Sequence, residues 1–246
     1  MGATRQLGES TRRVRRRLSV DRRREELIAA ALDLFSKHDA EDVSIDDVAA
    51  SAGASRALVY HYFGGKQELY VAALRSAAKE LDARLHPRGA EAPGAEVQGA
   101  EAPGGETTPD EAGVRRWGTG PVDEIARGLT RYFDFVEEHA TGFAALLRGG
   151  PANRAGEVGE IVDGVRQRML RLILSAMWDG TPGPMLRVTL RSWIAVVETA
   201  GLDWLEHRDM ERGELERMLV DQMVALLTAA AEHDQEVARL LAHLRR

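Results

Sequence analysis

The chain has 246 residues, no cysteine and a net charge of −6 at pH 7. This length can bury a substantial core, whereas the lack of cysteine excludes disulfide bridges and thiolate metal sites. No apolar run is long enough to span a bilayer, and the arginine-rich N-terminus lacks the apolar segment of a signal peptide. We therefore predict a cytoplasmic protein that does not act at a membrane.

Charge is distributed unevenly along the chain. Nine arginines against two acidic residues give residues 1–24 a net charge of +7, which leaves −13 for the rest. A basic end on an acidic body favours a polyanionic partner at one pole. Residues 1–20 have many like charges, few apolar residues and no periodicity, so we predict a disordered basic arm. A merely solubilising tail is the alternative for this arm.

Three helices are predicted after the arm, over residues 21–65. The first is amphipathic, and two shorter helices follow around a tight turn. Ser44 is placed to cap the first short helix, with Asp47 as its capping-box partner, and Ser55 is placed to cap the second. Gly53 can take the left-handed conformation that ends the first short helix. This order of elements is typical of a helix-turn-helix domain.

The second short helix has two distinct faces. Val59 and Phe63 are four residues apart and are predicted to face the core with the apolar stripe of the preceding helix. Arg56 and Tyr60 form another pair at this spacing and point elsewhere, with Ala57 beside them. The outer face is therefore polar and available to a partner.

This stretch resembles the DNA-binding domain of the TetR family of transcriptional repressors. The positions that match the family pattern at fixed spacing are Ser44, Val48, Ala49, Ala52, Gly53, Ala54, Ser55, Ala57, Val59, Tyr60, Tyr62, Phe63, Lys66 and Leu69. Among the departures from the pattern, only Ala57 in place of glycine bears on DNA, because its methyl group limits how closely the backbone approaches a base edge. The resemblance covers about a quarter of the chain, residues 20 to 86.

The resemblance implies a homodimeric transcriptional repressor whose second motif helix enters the major groove of a palindromic double-stranded DNA operator. The predicted DNA-binding residues are Arg22, Arg23, Ser44, Ser55, Arg56, Ala57, Tyr60, Tyr62 and Lys66. Arginine is the side chain best suited to guanine, so Arg56 is assigned to base readout. Five of the others, the two serines, the two tyrosines and the lysine, match family positions that mostly contact phosphates.

The remaining chain is predicted to be helical except for one insertion. A connecting helix is predicted over residues 66–86. Residues 87–119 carry an acidic Gly/Ala/Glu/Pro repeat with a five-residue period, which fits neither helix nor strand and is predicted to be disordered. Residues 120–246 show helical periodicity without strand-like alternation, so the fold is predicted to be all-α. By the resemblance, this last part is the effector-binding and dimerisation domain. Helices are expected there from about 121 to 136, 143 to 147, 155 to 178, 185 to 206 and 212 to 232.

Large aromatic side chains in this C-terminal part allow two interpretations. Phe133, Phe143, Trp178 and Trp193 are candidates for lining a pocket that binds a small apolar or amphipathic effector. Packing in the core of a helical bundle is the other interpretation for each of them. If the core is filled, the chain is a constitutive DNA-binding protein without an effector.

No catalytic constellation is recognisable, so we predict that the chain is not an enzyme and needs no cofactor. An enzyme with an appended DNA-binding head is the remaining alternative. Asp203, Glu206 and His207 share one helical face and could contribute metal ligands. A solvated charged patch near a helix end is the favoured interpretation, because no second cluster of matching spacing is found. We therefore predict no metal site.

Overall fold

The computed structural model describes residues 3–86, 120–148, 156–178 and 180–244, with the backbone alone for 3–19 and 145–148. Within these ranges the chain forms ten α-helices and no strand, which confirms the predicted all-α fold. None of the helices in the described part has both the length and the apolar composition that a bilayer span requires.

The helices agree closely with the predicted ones from the motif onwards. In chain order they are α1 Ala3–Lys37, α2 Ile45–Ser51, α3 Arg56–Phe63, α4 Lys66–Leu85, α5 Pro121–Glu138, α6 Ala140–Arg148, α7 Gly156–Met177, α8 Pro184–His207, α9 Arg212–Ala231 and α10 Gln235–Leu244. The predicted connecting helix is α4. The predicted acidic insertion, residues 87–119, lies outside the described residues.

The N-terminal region differs from the prediction. A disordered arm was expected over residues 1–20, whereas α1 runs without a break from Ala3 to Lys37. Arginine is a good helix former, and this stretch contains no proline and one glycine, Gly8. Adding a turn to an existing helix avoids the cost of nucleation, so the packed C-terminal part of α1 can extend towards the N-terminus. Disorder is therefore the wrong prediction for residues 3–20.

The described residues divide into two compact units by packing. Unit 1 takes its residues from Met1–Asp82, Phe133–Arg168 and Glu198–Asp209. Unit 2 takes its residues from Ala83–Tyr132, Met169–Val197 and Met210–Arg246. Because α5, α7 and α8 each contribute to both units, this division does not follow the order of the predicted domains.

In unit 1, the helix-turn-helix and the first half of α4 share one core. Its buried side chains are Leu27, Ala31, Phe35, Val43, Ile45, Val48, Ala49, Val59, Phe63, Leu69, Ala72 and Ala73. The rings of Phe35 in α1 and Tyr70 in α4 meet edge to face with centroids 5.0 Å apart. Since α4 supplies three of the buried residues, it is part of the core of the helix-turn-helix and not merely a linker.

A close backbone approach joins α6 to the end of α1 within unit 1. A Cβ atom at Gly142 would lie 2.8 Å from the carbonyl oxygen of Phe35 and 3.6 Å from the Cα atom of Ser36. Side-chain Cβ atoms essentially never come this close to a backbone oxygen. Glycine at position 142 therefore allows the two helices to touch backbone to backbone.

In unit 2, α8, α9 and α10 pack around an apolar core. The indole nitrogen of Trp193 in α8 donates a 2.8 Å hydrogen bond to the carbonyl oxygen of Leu219 in α9, and both residues are buried. The helix α10 was not predicted, although its three buried residues Val237, Leu240 and Leu241 have helical spacing. Asp234 precedes it and accepts hydrogen bonds from backbone nitrogens of its first turn, which is a readable start signal.

A polar cluster crosses unit 2 between α5 and α9. Glu216 is the one charged side chain that is buried in the described part of the chain, at 8% exposure. Its carboxylate accepts hydrogen bonds from the Thr130 hydroxyl at 2.6 Å and from Nε of Arg212 at 2.7 Å. Arg212 also donates to the carbonyl oxygen of Thr130 at 2.7 Å. Each member is bonded to both others, which offsets the cost of burying a carboxylate.

Candidate nucleic-acid interface

The turn between α2 and α3 is built by the two predicted caps. The Ser44 hydroxyl accepts from the backbone nitrogen of Asp47 at 3.1 Å, and the Asp47 carboxylate accepts from the backbone nitrogen of Ser44 at 2.9 Å. The Ser44 hydroxyl also donates to the Asp47 carboxylate. This hydrogen bond, together with the one from the Ser44 backbone nitrogen, holds the pKa of Asp47 below its ordinary value. Gly53 has a φ of +57°, and the Ser55 hydroxyl accepts from the backbone nitrogen of Leu58 at 3.2 Å. The capping box, the left-handed glycine and the second cap are confirmed.

The two faces of α3 also match the prediction. Val59 and Phe63 are buried in the core of unit 1. On the opposite side, Arg56, Ala57 and Tyr60 are exposed. A helix that is anchored on one face by the motif core and exposes arginine and tyrosine on the other can enter a DNA groove without unfolding.

The exposed side chain of Arg56 is held by contacts with two neighbouring side chains. One terminal nitrogen donates a 2.8 Å hydrogen bond to the Asp46 carboxylate, and the other lies 3.4 Å from the Tyr60 hydroxyl oxygen. The guanidinium carbon also lies 5.5 Å from the centre of the Tyr60 ring. The hydrogen bond to Tyr60 and the nearby Asp46 carboxylate raise the pKa of Arg56 above its ordinary value. Sequence reasoning missed Asp46, because its contact with Arg56 depends on how α2 and α3 cross.

Several other predicted DNA contacts also have a structural role. The Lys66 ammonium donates a 2.9 Å hydrogen bond to the carbonyl oxygen of Glu41, which ties the start of α4 to the loop before α2. Tyr62 is half-buried and packs against the core. Together with the capping serines, these residues hold the motif together, and their assignment to phosphates stays a prediction.

The two predicted arginines of α1 lie in different surroundings. Arg23 donates to the carbonyl oxygen of Gly53 at 2.9 Å and to the Glu26 carboxylate at 2.8 Å, so it ties α1 to the turn of the motif. Arg22 is exposed and lies 3.4 Å from Glu26. Sequence reasoning also missed Arg24, whose guanidinium lies 5.2 Å from the centre of the Phe63 ring. Of the two predicted arginines, Arg22 has the side chain more accessible to a phosphate, at 82% exposure against 37% for Arg23.

The structure places the four candidate pocket residues in two groups. Phe133 and Phe143 belong to unit 1, where both rings lie near Gly201 and the Phe133 ring meets Trp204 edge to face at 5.8 Å. A Cβ atom at Gly201 would lie 3.6 Å from Phe133 and 3.9 Å from Phe143, which is ordinary contact distance. The two phenylalanines are therefore brought together around one glycine.

Trp178 and Trp193 belong to unit 2. The indole of Trp193 is a core side chain, because its N–H group already bonds to α9. The indole nitrogen of Trp178 is buried and has no hydrogen-bond acceptor among the described residues. Of these two tryptophans, only Trp178 retains a polar group for another molecule.

The possible metal ligands near the end of α8 do not form a site in the described residues, where no group of three potential ligands converges. The ring nitrogen Nδ1 of His207 lies 3.0 Å from the carbonyl oxygen of Asp203. This hydrogen bond and the Asp203 charge raise the pKa of the exposed histidine.

Two family descriptions match the chain. Residues 27–73 match "Bacterial regulatory proteins, tetR family", and residues 121–226 match "Tetracyclin repressor-like, C-terminal domain". The matched ranges contain the helix-turn-helix and most of the C-terminal helices. They agree with the predicted resemblance and extend it to the second half of the chain.

The chain is also similar to known transcriptional regulators. A tetR-family transcriptional regulator from Streptomyces coelicolor is 38% identical, with 91% of this chain and 88% of that chain covered and a TM-score of 0.75. The fatty acid degradation regulator FadR from Bacillus halodurans is 11% identical, with 82% and 94% covered and a TM-score of 0.57, and supports the fold alone. The transcriptional regulator BetI from Agrobacterium fabrum is 42% identical over 59 residues, which are 24% of this chain. That match spans 29% of the length of BetI.

These matches support the prediction that the protein regulates transcription and is not an enzyme. The S. coelicolor regulator matches over most of both chains, and the two family descriptions fall on the motif and on the C-terminal helices. The chain belongs to the TetR family of bacterial transcriptional regulators.

Proposed function

We propose that the protein is a homodimeric repressor that binds a palindromic operator and leaves it when a small apolar or amphipathic effector binds. The observation that supports the proposal most directly is the reading face of α3. Arg56 and Tyr60 are exposed there, while Val59 and Phe63 hold the helix in the core from behind. This geometry serves insertion of α3 into a major groove, with Arg56 on a guanine.

The test of the DNA assignment begins with selection of duplexes from a random pool by the wild-type protein. Arg56→Ala is expected to cost about 1–3 kcal/mol of binding free energy and to relax the preference at one base pair in each half-site. Arg239→Ala removes an exposed arginine of α10 outside the motif and serves as the control. Identical sequence preferences for the wild type and Arg56→Ala would contradict the assignment.

The dimer surface is proposed on the outer faces of α8 and α9 in unit 2. Large apolar side chains are exposed there although the inner faces of both helices are buried; they are Met185, Val188, Val196 and Met218. Val188 is the most exposed of them, at 55%. A second copy would cover these side chains by two-fold symmetry and would present two identical α3 helices to successive major grooves, about 34–36 Å apart.

The dimer proposal predicts that a charge placed in the proposed surface prevents dimerisation. Val188→Glu is expected to give monomers in sedimentation velocity and to lose most of the affinity for the selected palindrome, because a monomer reads one half-site. Ala238→Glu introduces the same charge at an exposed position of α10 and is expected to leave the dimer intact. A Val188→Glu protein that stays dimeric would exclude this surface.

The effector site is proposed around Gly201 in unit 1. Phe133 and Phe143 lie next to Gly201, Trp204 packs against Phe133, and we propose that these three side chains line the site. Ligands of such a lining are apolar or amphipathic, and a fatty-acyl compound is one example. Screening a library of apolar and amphipathic compounds by thermal shift would identify binders. Gly201→Ala adds one methyl group at ordinary contact distance, so it should preserve the fold and weaken those binders.

We propose a path from this site to the DNA-reading helix within unit 1. Arg166 in α7 forms a two-pronged ion pair with Glu198 in α8, at 2.9 and 2.8 Å. In turn α7 forms an ion pair with α4 through Glu157 and Arg75 at 2.7 Å. Because α4 lies in the core of the motif, an effector that favours a tilted α4 would also move α3.

The allosteric part of the proposal has a reciprocal test. A preference of about 1–3 kcal/mol for one state changes DNA affinity about 5- to 150-fold, and DNA must weaken effector binding by the same factor. The affinity of a compound from the screen is measured with and without the selected operator, at fixed salt. Equal affinities, or no binder at all, would favour a constitutive DNA-binding protein over an effector-controlled one.

A further inference from the structure

Asp46 is a charged residue of the reading surface that the assignment of DNA contacts does not use. It lies in the first turn of α2, and Arg56 is the first residue of α3. Their side chains are 61% and 59% exposed, yet they form an ion pair at 2.8 Å across the two helices. An acidic side chain beside the base-reading arginine is unexpected on a surface that approaches phosphates, so its position requires a reason.

The contacts of Arg56 supply this reason. Asp46 holds one terminal nitrogen, and the Tyr60 hydroxyl and ring hold the other nitrogen and one guanidinium face. Each terminal nitrogen of a guanidinium carries two N–H groups, so one remains on each nitrogen after these bonds. Guanine O6 and N7 accept two N–H groups of an arginine. Arg56 is thus held by its neighbours while each of its terminal nitrogens keeps one N–H group for a base.

The charge of Asp46 has a second effect. A free arginine at the start of α3 would bind any nearby phosphate, because the attraction to the DNA backbone carries no sequence information. The Asp46 carboxylate neutralises part of the Arg56 charge and repels phosphates. This repulsion weakens binding that depends on phosphates alone. At the correct site, the two hydrogen bonds that a guanine accepts from Arg56 compensate for the repulsion.

We infer that Asp46 is a positioning residue that sets DNA sequence specificity through Arg56. The inference rests on the proposed DNA-binding function and adds a residue to it. It predicts that removing the carboxylate makes the protein less selective and, at the same time, a better binder of unrelated DNA. A residue with a merely structural role would weaken binding to every duplex.

The experiment compares Asp46→Asn with the wild type on two probes, the duplex selected from the random pool and a duplex of the same composition in scrambled order. The ratio of the two affinities is expected to fall about two- to fivefold, the range that a single exposed ion pair permits. Affinity for the scrambled duplex is expected to rise. Asp46→Glu keeps the charge and is expected to recover part of the ratio.

Two controls show whether Asp46 acts through Arg56. Asp33→Asn removes one exposed carboxylate of α1 that is paired with Lys37, and it is expected to leave the ratio unchanged. In an Arg56→Ala background, Asp46→Asn is expected to have no further effect on the ratio, because the group that it positions is gone.

Each result decides a different point. An unchanged ratio for Asp46→Asn, or a change that persists in the Arg56→Ala background, overturns the role of Asp46 while the proposed function stands. Equal weakening on both duplexes assigns Asp46 a structural role and also overturns the inference. A wild-type protein that binds both duplexes equally overturns the proposed function together with the inference.

Discussion

The helix-turn-helix and unit 2 are both fastened by polar side chains, but the contacts differ in their reach along the chain. In the motif, the polar contacts reach from three residues, between Ser44 and Asp47, to 30 residues, between Arg23 and Gly53. In unit 2, Thr130 contacts Glu216, 86 residues away. Local contacts need little loop closure, whereas distant ones require the rest of the fold to be in place first. A destabilising substitution in the motif should therefore have local effects, whereas one in unit 2 should affect several helices.

The largest expected effect is a loss of stability when one buried leucine is truncated in either core. Leu27 of the motif core and Leu219 of α9 are both fully buried. Replacing either by alanine is expected to lower the free energy of unfolding by about 2–5 kcal/mol. Hydrogen exchange would then show lost protection in α1 to α4 for Leu27→Ala, and across α5, α8, α9 and α10 for Leu219→Ala. Identical exchange maps for the two variants would contradict the comparison.

The next effect concerns the buried carboxylate of unit 2. Glu216→Ala leaves Arg212 and the Thr130 hydroxyl without their shared acceptor, so we expect a loss of about 3 kcal/mol in the free energy of unfolding. Glu216→Gln keeps an oxygen acceptor and should cost less. Urea unfolding monitored by circular dichroism measures both. If the two variants lose the same free energy of unfolding, the acceptor oxygen that Glu216→Gln keeps does not stabilise the α5–α9 contact, which would contradict this prediction.

A smaller effect is expected from the cap of α2. Ser44→Ala removes the acceptor for the Asp47 backbone nitrogen and should cost about 0.5–2 kcal/mol. Ser51→Ala makes the same change at the other end of the helix and is the matched control. Hydrogen exchange should locate the loss in α2 and its neighbours. A loss that extends to α9 would show that the motif is coupled to unit 2 more tightly than its local contacts indicate.

The smallest effect is a dependence on pH. The Ser44 hydroxyl and the Ser44 backbone N–H both donate to the Asp47 carboxylate and lower its pKa from the ordinary value of 3.8 in the folded state. The stabilisation is therefore fully present above pH 3.8 and disappears as the pH falls through the lowered folded-state pKa. An NMR titration of the Asp47 carboxyl carbon gives the folded-state pKa. In Ser44→Ala that pKa is expected to move up towards 3.8, and an unchanged value would assign the shift to another group.

The same difference in reach explains what the sequence could predict. Residues at fixed short spacing, such as Ser44 and Asp47 or Val59 and Phe63, revealed the caps and faces of the motif. Most helices after the motif were predicted because their apolar residues repeat at helical spacing. The helix α10 was not predicted because it is short, although Asp234 is a suitable N-cap and Val237 begins its apolar face. The arginine-rich part of α1 was not predicted to be helical, because its many like charges indicated disorder. Extension of the packed helix towards the N-terminus was not considered.

Contacts between elements were beyond prediction. The number of residues between Asp46 and Arg56 does not determine the angle at which α2 crosses α3. Because this angle brings the two side chains together, their ion pair could not be predicted. The roles of Arg23 at the turn and Lys66 at the preceding loop depend on backbone carbonyl groups, which no side-chain pattern encodes. Residue types led to the prediction of a reading surface, whereas the partners of each side chain could be found only from the fold.

The contact between Gly142 and Phe35 has a consequence for genetics. A single base change converts a glycine codon to an alanine codon, and the new methyl group would press on the backbone of α1 at the end of the motif core. We expect such an allele to alter regulation although its product keeps every DNA-reading side chain. A selection for colonies with altered reporter expression should therefore recover Gly142 alleles alongside those in α3. Alleles of this kind would mark the place where evolution can retune the regulator without changing its operator.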